Sequence, residues 1–339
     1  MTTGSPPRPA AALAAGPESG GAARRRSHRT RSGVLLVAGL VLTGALAVAS
    51  LVVGVAELDT TALLTSRIPR TLALVLCGAS LAVAGLVMQL LTRNPFVEPA
   101  TAGTMEFAGL GLLAALLLTP DAALPLKMLF GTAAALVGTA VFIRILGAVP
   151  QSDILSVPLL GLMLGGVVSA ASTFIAYRAD LLQSLGSWMT GDFSVVLAGR
   201  YELLWAAGAA TGVVVLLADR FTVAGLGADV ATGLGVNHAR ALAIGLSIVA
   251  VVTATIVVTV GMLPFIGLVV PNVVSRFVGG NARRSIPWVA LLGVALVLAC
   301  DLGARLLVHP YELPIGTIMA VVGGAAFIVL LLKGPHHVR

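Results

Sequence analysis

Strongly polar side chains are scarce in this chain and fall into a few tight groups. The first is Arg67-Ile68-Pro69-Arg70, placed just ahead of an uncharged run from Thr71 to Thr92. Two arginines three apart can grip carboxylates bidentately, a geometry that suits a guanidinium. At a helix start they oppose the dipole, so headgroup contact or snorkelling is the bland alternative. The second group is Asp301 and Arg305, spaced i,i+4 and therefore on one helix face. A lone Asp at mid-bilayer costs about 2.5–3.5 kcal/mol on insertion scales. Pairing is the expected role of Asp301, and Arg305 is free to join Arg67 and Arg70 in an outer basic ring.

The third group is a polar hairpin, Gln89 followed by Thr92-Arg93-Asn94-Pro95-Phe96 and Glu98, between two apolar stretches. Glu98 and Glu106 flank the start of the third expected span, eight residues apart and so on nearly the same helix face. Acids inside a membrane are functional suspects by default. Glu106 either faces a water-filled pathway or caps a neighbouring helix. Gln89, Ser169, Ser172 and Thr173 either line a polar route or hydrogen-bond adjacent helices. The fourth group is the stretch from Asp219 to Arg240, DRFTVAGLGADVATGLGVNHAR. Two short helices are expected in it, around Val223–Leu226 and Ala228–Leu234. A connection of that length with its own helical pattern suggests a docking surface.

Other chemistry is missing. There is no G-x-x-x-x-G-K-[ST] phosphate loop, so the chain is not expected to use nucleotide itself. No nucleophile elbow and no clustered His/Cys set occurs, so neither catalysis nor a metal or cofactor is expected. His28, His238, His309, His336 and His337 fall in tails and loops, and Cys77 and Cys300 sit singly in apolar segments as small core residues.

The elements that position these groups follow from composition. Hydrophobic residues make up 58% of the 339, charged residues 10%, and mean hydropathy is +1.03. A soluble domain carries about 25% charged residues. A bilayer core of roughly 30 Å needs about 20 apolar residues per helix. The uncharged runs Val34–Ala56, Thr71–Thr92 and Leu313–Leu332 meet that length. Lipid offers no partner to free backbone groups, so such runs are helices. The fold class is all-α polytopic membrane protein. The 39 glycines suit close helix packing.

Ten spans are expected, at about 34–56, 70–92, 99–118, 125–147, 154–177, 200–218, 240–261, 265–278, 286–307 and 313–332. Pro264 and Pro271 divide the 35-residue uncharged stretch from Ala241 to Ser275 into a full span and a short one. With both termini cytoplasmic, 15 of the 21 basic residues lie inside and six outside, as the positive-inside rule favours. The net charge of +7 is thus a topology signal rather than a nucleic-acid footprint. Residues 1–32 read as a disordered basic cytoplasmic tail, with no cleaved signal peptide because the apolar run outlasts an h-region. Residues 33–334 form the membrane domain, and 335–339 a second cytoplasmic tail.

At these positions the chain resembles the permease subunits of ABC importers for ferric siderophores and cobalamin. The likeness covers about residues 57–333. It rests on R-I-P-R at 67–70, Gln89…Arg93-Asn94-Pro95…Glu98-Pro99, Leu234-Gly235-Val236, Gly261…Pro264-Phe265-Ile266-Gly267-Leu268-Val269-Val270-Pro271, Asp301…Arg305 and Glu312-Leu313-Pro314-Ile315-Gly316. The resemblance implies a ten-helix permease in the cytoplasmic membrane, paired with a second permease, cytoplasmic ATPases and an extracytoplasmic siderophore-binding protein. It places Arg67, Arg70 and Arg305 opposite acids of the binding protein. It places Gly225, Leu226, Ala231, Leu234, Gly235 and Val236 of loop 219–240 against the ATPase. Asn94, Phe96 and Ser156 fall at the cytoplasmic gate. Glu106 departs from the small or hydroxylated residue the family pattern implies, which leaves the cargo surface open. The stretch Trp188–Phe193 and the turn His309-Pro310-Tyr311-Glu312 resemble the catecholate-siderophore branch. A cobalamin or haem permease is the alternative of the same architecture, and an ion-driven secondary transporter the alternative of another class.

Overall fold

The computed structural model describes residues 19–53, 59–146, 156–308 and 310–332, and their long regular elements are all helices. Ten carry the apolar sequence among the described residues: α1 (Ser19–Val52), α2 (Ile68–Thr92), α3 (Thr104–Leu118), α4 (Leu124–Leu146), α5 (Ser156–Arg178), α6 (Leu204–Ala224), α7 (His238–Val260), α8 (Ile266–Val278), α9 (Ala282–Leu306) and α10 (Ile315–Leu332). Eight of these are long and apolar enough to cross a membrane, while α3 and α8 are shorter apolar helices.

Three boundaries differ from expectation. α1 begins at Ser19, inside the stretch expected to be a disordered tail, and its span-length apolar part is Leu35–Val52. The remainder of that tail, 1–18, and the C-terminal tail, 335–339, lie outside the described residues. α3 starts at Thr104 rather than 99, because a single 3-10 turn at Ala100–Ala102 and Gly103 with φ +77 precede it. Glu98 therefore stands in the connecting turn, and it shares no helix face with Glu106. In loop 219–240 the residues expected to form a first short helix are the end of α6 and the turn after it; only Ala228–Gly233 forms a helix of its own.

The described residues divide between Val41 and Leu42 into two units, and the packing described here is that of the second. Its centre is α2. Asp59 starts the approach by accepting a 2.6 Å hydrogen bond at Oδ1 from the Ala62 amide. A π-helical turn, Leu63–Arg67, then leads into α2; Pro69 has no N–H for the Thr65 carbonyl, which accepts from the Ala198 amide at 2.9 Å instead. α2 ends at Arg93, whose left-handed backbone (φ +52) closes the helix. Between these ends α2 packs on α6, α7, α8 and α9 and is buried for most of its length.

Small residues set the helix spacing. Where α2 meets α8, a Cβ on Gly85 would fall 2.1 Å from the Gly267 carbonyl oxygen, so the two backbones are in direct contact. α8 itself has 13 residues. It rises about 20 Å against a hydrocarbon core of about 30 Å, so one of its ends lies within the bilayer.

Candidate functional site

At the end of α2 that carries Arg70, four helical segments are joined by a buried ionic cluster. Asp301 on α9 is fully buried, and its Oδ1 accepts from Arg70 Nη2 at 2.8 Å and from Nε at 3.2 Å. Its Oδ2 accepts from Arg305, one turn further along the same helix. Arg70 Nη1 reaches Glu312 Oε2 at 2.7 Å, which ties in the approach to α10. Arg305 Nη1 also donates to the carbonyls of Ser50 (3.0 Å) and Val53 (2.8 Å), while Arg67 Nη1 donates to those of Leu51 (2.8 Å) and Val52 (2.7 Å). These are the carbonyls that the end of α1 leaves without helical partners, at the negative end of its dipole.

The exposed basic ring expected of Arg67, Arg70 and Arg305 is therefore not what this structure presents. All three are buried, and their guanidiniums are engaged by carboxylates and by helix-end carbonyls. A guanidinium already engaged within the bundle offers little to an outside carboxylate. The pairing read from the Asp301–Arg305 spacing is present, extended by two partners, Arg70 and Glu312, that lie far off in sequence.

At the other end of α2 the hairpin 93–99 is fastened to α8. Pro271 lacks the N–H that would bond the carbonyl of Gly267, four residues earlier in α8. Gln89 Nε2 makes up that loss, donating to the Gly267 oxygen at 3.0 Å. Gln89 is thus a structural partner of α8 here. Glu98 Oε1 accepts from the Phe265 amide at 3.0 Å and so caps the start of α8. Asn272 Nδ2 donates to the Pro95 carbonyl at 2.6 Å, and Asn94 Oδ1 accepts from the Phe96 amide at 2.9 Å inside the turn. Phe96 and Phe327 of α10 meet edge to face with ring centres 6.0 Å apart, and Phe265 lies 6.3 Å from Phe327. Asn94 and Phe96 thus sit where a turn, α8 and α10 converge. Ser156 is the first residue of α5, and its side chain lies outside the described residues.

Loop 219–240 rests directly on this end of α2. A Cβ on Gly225 would lie 3.1 Å from the Leu90 carbonyl oxygen, and one on Gly227 would lie 3.2 Å from Arg93 Nη1. Ala231 is buried and anchors the short helix, whereas Leu226, Val230 and Leu234 are exposed. Gly235 is exposed and Val236 half-buried. The loop's flanks are tied to α9, through Asp219 Oδ2 to Arg283 Nη1 at 2.6 Å and through the Ala282 amide to Thr222 Oγ1 at 3.0 Å.

The remaining pathway candidates do not gather into one site. The Glu106 carboxyl packs against Gly165 of α5, with its Oε2 buried and making no hydrogen bond among the described residues. Ser169 and Thr173 lie on the exposed side of α5, and Thr173 Oγ1 donates to the Ser169 carbonyl at 2.8 Å. The residues that the sequence did not single out are Asn272 and Phe327. Asn272 lies one position beyond the Gly261–Pro271 motif, while Phe327 is one apolar residue among many.

The comparisons with known proteins follow the same pattern. A model described as the FecCD transport family matches residues 32–333. The chain is 42% identical over 299 residues to the petrobactin import system permease protein YclN of Bacillus subtilis (strain 168), spanning 85% of this chain and 95% of that relative. It is 40% identical over 272 residues to the ferric-anguibactin transport system permease protein FatD of Vibrio anguillarum, spanning 80% and 87%. A solved structure assigned to the metal-chelate type of ABC transporter, in an inward-facing conformation, superposes with a TM-score of 0.77 at 25% identity, over 89% of this chain and 99% of that one.

Proposed function

The chain belongs to the FecCD transport family, and on that premise we propose that it is the membrane-spanning permease subunit of an ATP-driven importer of ferric siderophores. It works in the cytoplasmic membrane with both termini inside, beside a second permease, cytoplasmic ATPases and an extracytoplasmic binding protein. The named relatives support the cargo class, since petrobactin and anguibactin importers are among them.

The observation that carries the mechanism is the contact of Gly225 and Gly227 with Leu90 and Arg93. Loop 219–240 presents exposed Leu226, Val230 and Leu234 as an apolar face for an ATPase. A push on that face bears on the end of α2 and on the hairpin it leads into. The hairpin is fixed to α8 by Gln89, Glu98 and Asn272, so hairpin and helix move as one body. Asn94 and Phe96, at the junction with α10, then open or close the route. The ionic cluster at the opposite end of α2 holds that end of the bundle and sets the rim on which a binding protein settles, rather than gripping it through free arginines.

The test is reconstitution. Liposomes holding this chain with its ATPase and binding protein take up ferric siderophore when ATP is supplied, and liposomes holding the chain alone do not. Accumulation driven by a proton or sodium gradient without ATPase would overturn the reading.

A further inference from the structure

Where α6 ends and α7 begins, the two helices enclose a cavity of about 240 Å³. Leu217, Phe221, Ala241 and Ile244 form an apolar wall along both helices, and Arg220 and Arg240 stand at its loop-side edge. Both arginines are exposed, and among the described residues neither guanidinium has a carboxylate partner. The acid beside Arg220 in sequence, Asp219, is occupied by Arg283, and the other acid of the loop, Asp229, does not line the cavity. Next to the cavity α6 turns bare apolar side chains outward, with Leu216 83% exposed and Val213 and Val215 also exposed.

Two uncompensated cations at the ends of adjacent spans, above an apolar wall that continues down lipid-facing helices, match a molecule that is anionic at one end and aliphatic at the other. We infer that this cavity binds an anionic phospholipid of the leaflet bordering loop 219–240, its phosphate on Arg220 and Arg240 and an acyl chain along the wall. The inference rests on α6 and α7 spanning the membrane and is independent of the cargo. Gly235, Val236 and Asn237, the last residues of the docking loop, line the same cavity. A bound lipid would therefore brace the loop from its membrane side.

Native mass spectrometry of the full chain, purified from nanodiscs of phosphatidylcholine mixed with phosphatidylglycerol, reads this directly. The wild-type chain is expected to retain phosphatidylglycerol in preference to phosphatidylcholine, and R220Q/R240Q to lose roughly tenfold of that retention. R284Q, which removes an exposed charge elsewhere on the same side, leaves it unchanged. Equal retention by R220Q/R240Q and wild type, or no preference between the two lipids, overturns the inference. So does complete competition by millimolar inorganic phosphate, which would make the site one for free anions. Loss of ATPase co-purification in R220Q/R240Q with lipid retention intact would assign the cavity to the ATPase contact instead. Should R220Q/R240Q not accumulate, R220K/R240K keeps the charges and is expected to keep the preference for phosphatidylglycerol; its loss there counts against the inference.

Discussion

Arg70 and Asp301, 231 residues apart, meet in a buried contact in which Nη2 and Nε both donate to Oδ1, at 2.8 and 3.2 Å. Asp301 also accepts from Arg305, so one carboxylate balances two guanidiniums. D301A removes the buried carboxylate that both cations share, leaving Arg70 only Glu312 and Arg305 only helix-end carbonyls, and is expected to destabilise the purified protein by about 3 kcal/mol. R70Q leaves the Asp301–Arg305 pair standing and is expected to cost less. Thermal unfolding in detergent checks the order of the two; an R70Q chain less stable than D301A would contradict it.

Gln89 and Pro271 form a second dependent pair, because the glutamine serves the carbonyl that the proline leaves free. Q89L orphans the Gly267 oxygen, a loss of about 1–3 kcal/mol. P271A restores an amide that can serve the same carbonyl from within α8. The double variant Q89L/P271A is therefore expected to be more stable than the sum of the single effects, read as a double-mutant cycle on melting temperature. Strict additivity would refute the link.

Gly85 admits no side chain. G85A places a methyl 2.1 Å from the Gly267 oxygen, within backbone that cannot rotate away, and is expected to abolish stable expression. G166A, with open space around its Cβ position, is expected to be silent. Membrane-fraction yield and unfolding temperature separate the two.

On loop 219–240, L226D/L234D changes only exposed apolar surface. It is expected to release the ATPase from the membrane while leaving the permease's own melting temperature unchanged. G227V should differ, since Gly227 has φ +108 and a side chain there would press on Arg93. It is expected to leave the ATPase bound but to uncouple hydrolysis from uptake. Paired ATPase and uptake assays distinguish an undocked loop from a docked but misplaced one.

The ten helices were legible because a bilayer imposes one length scale on uncharged sequence, and Val34–Ala56 or Thr71–Thr92 can answer it in only one way. The i,i+4 pairing of Asp301 with Arg305 was legible for a similar reason, being local. Arg70 and Glu312 as further partners of that cluster were not, since nothing in a single chain states which distant segments meet. The burial of Arg67, Arg70 and Arg305 was not legible, because arginines beside an apolar run look the same whether they face solvent or the carbonyls of α1. Glu98 was placed on a helix because periodicity alone does not register the break at Gly103. The partnership of Gln89 with Pro271 was readable in principle: a proline within a membrane helix frees a carbonyl that lipid cannot serve. Which amide answers it required coordinates.

With Glu98 seated at the head of α8, helix and acid travel together. Withdrawing either would leave a buried carboxyl on one side and an unserved Phe265 amide on the other. A transport stroke is thus confined to displacements that keep residues 93–99 and 266–278 in register, and whatever bends must be the chain on either side of that piece.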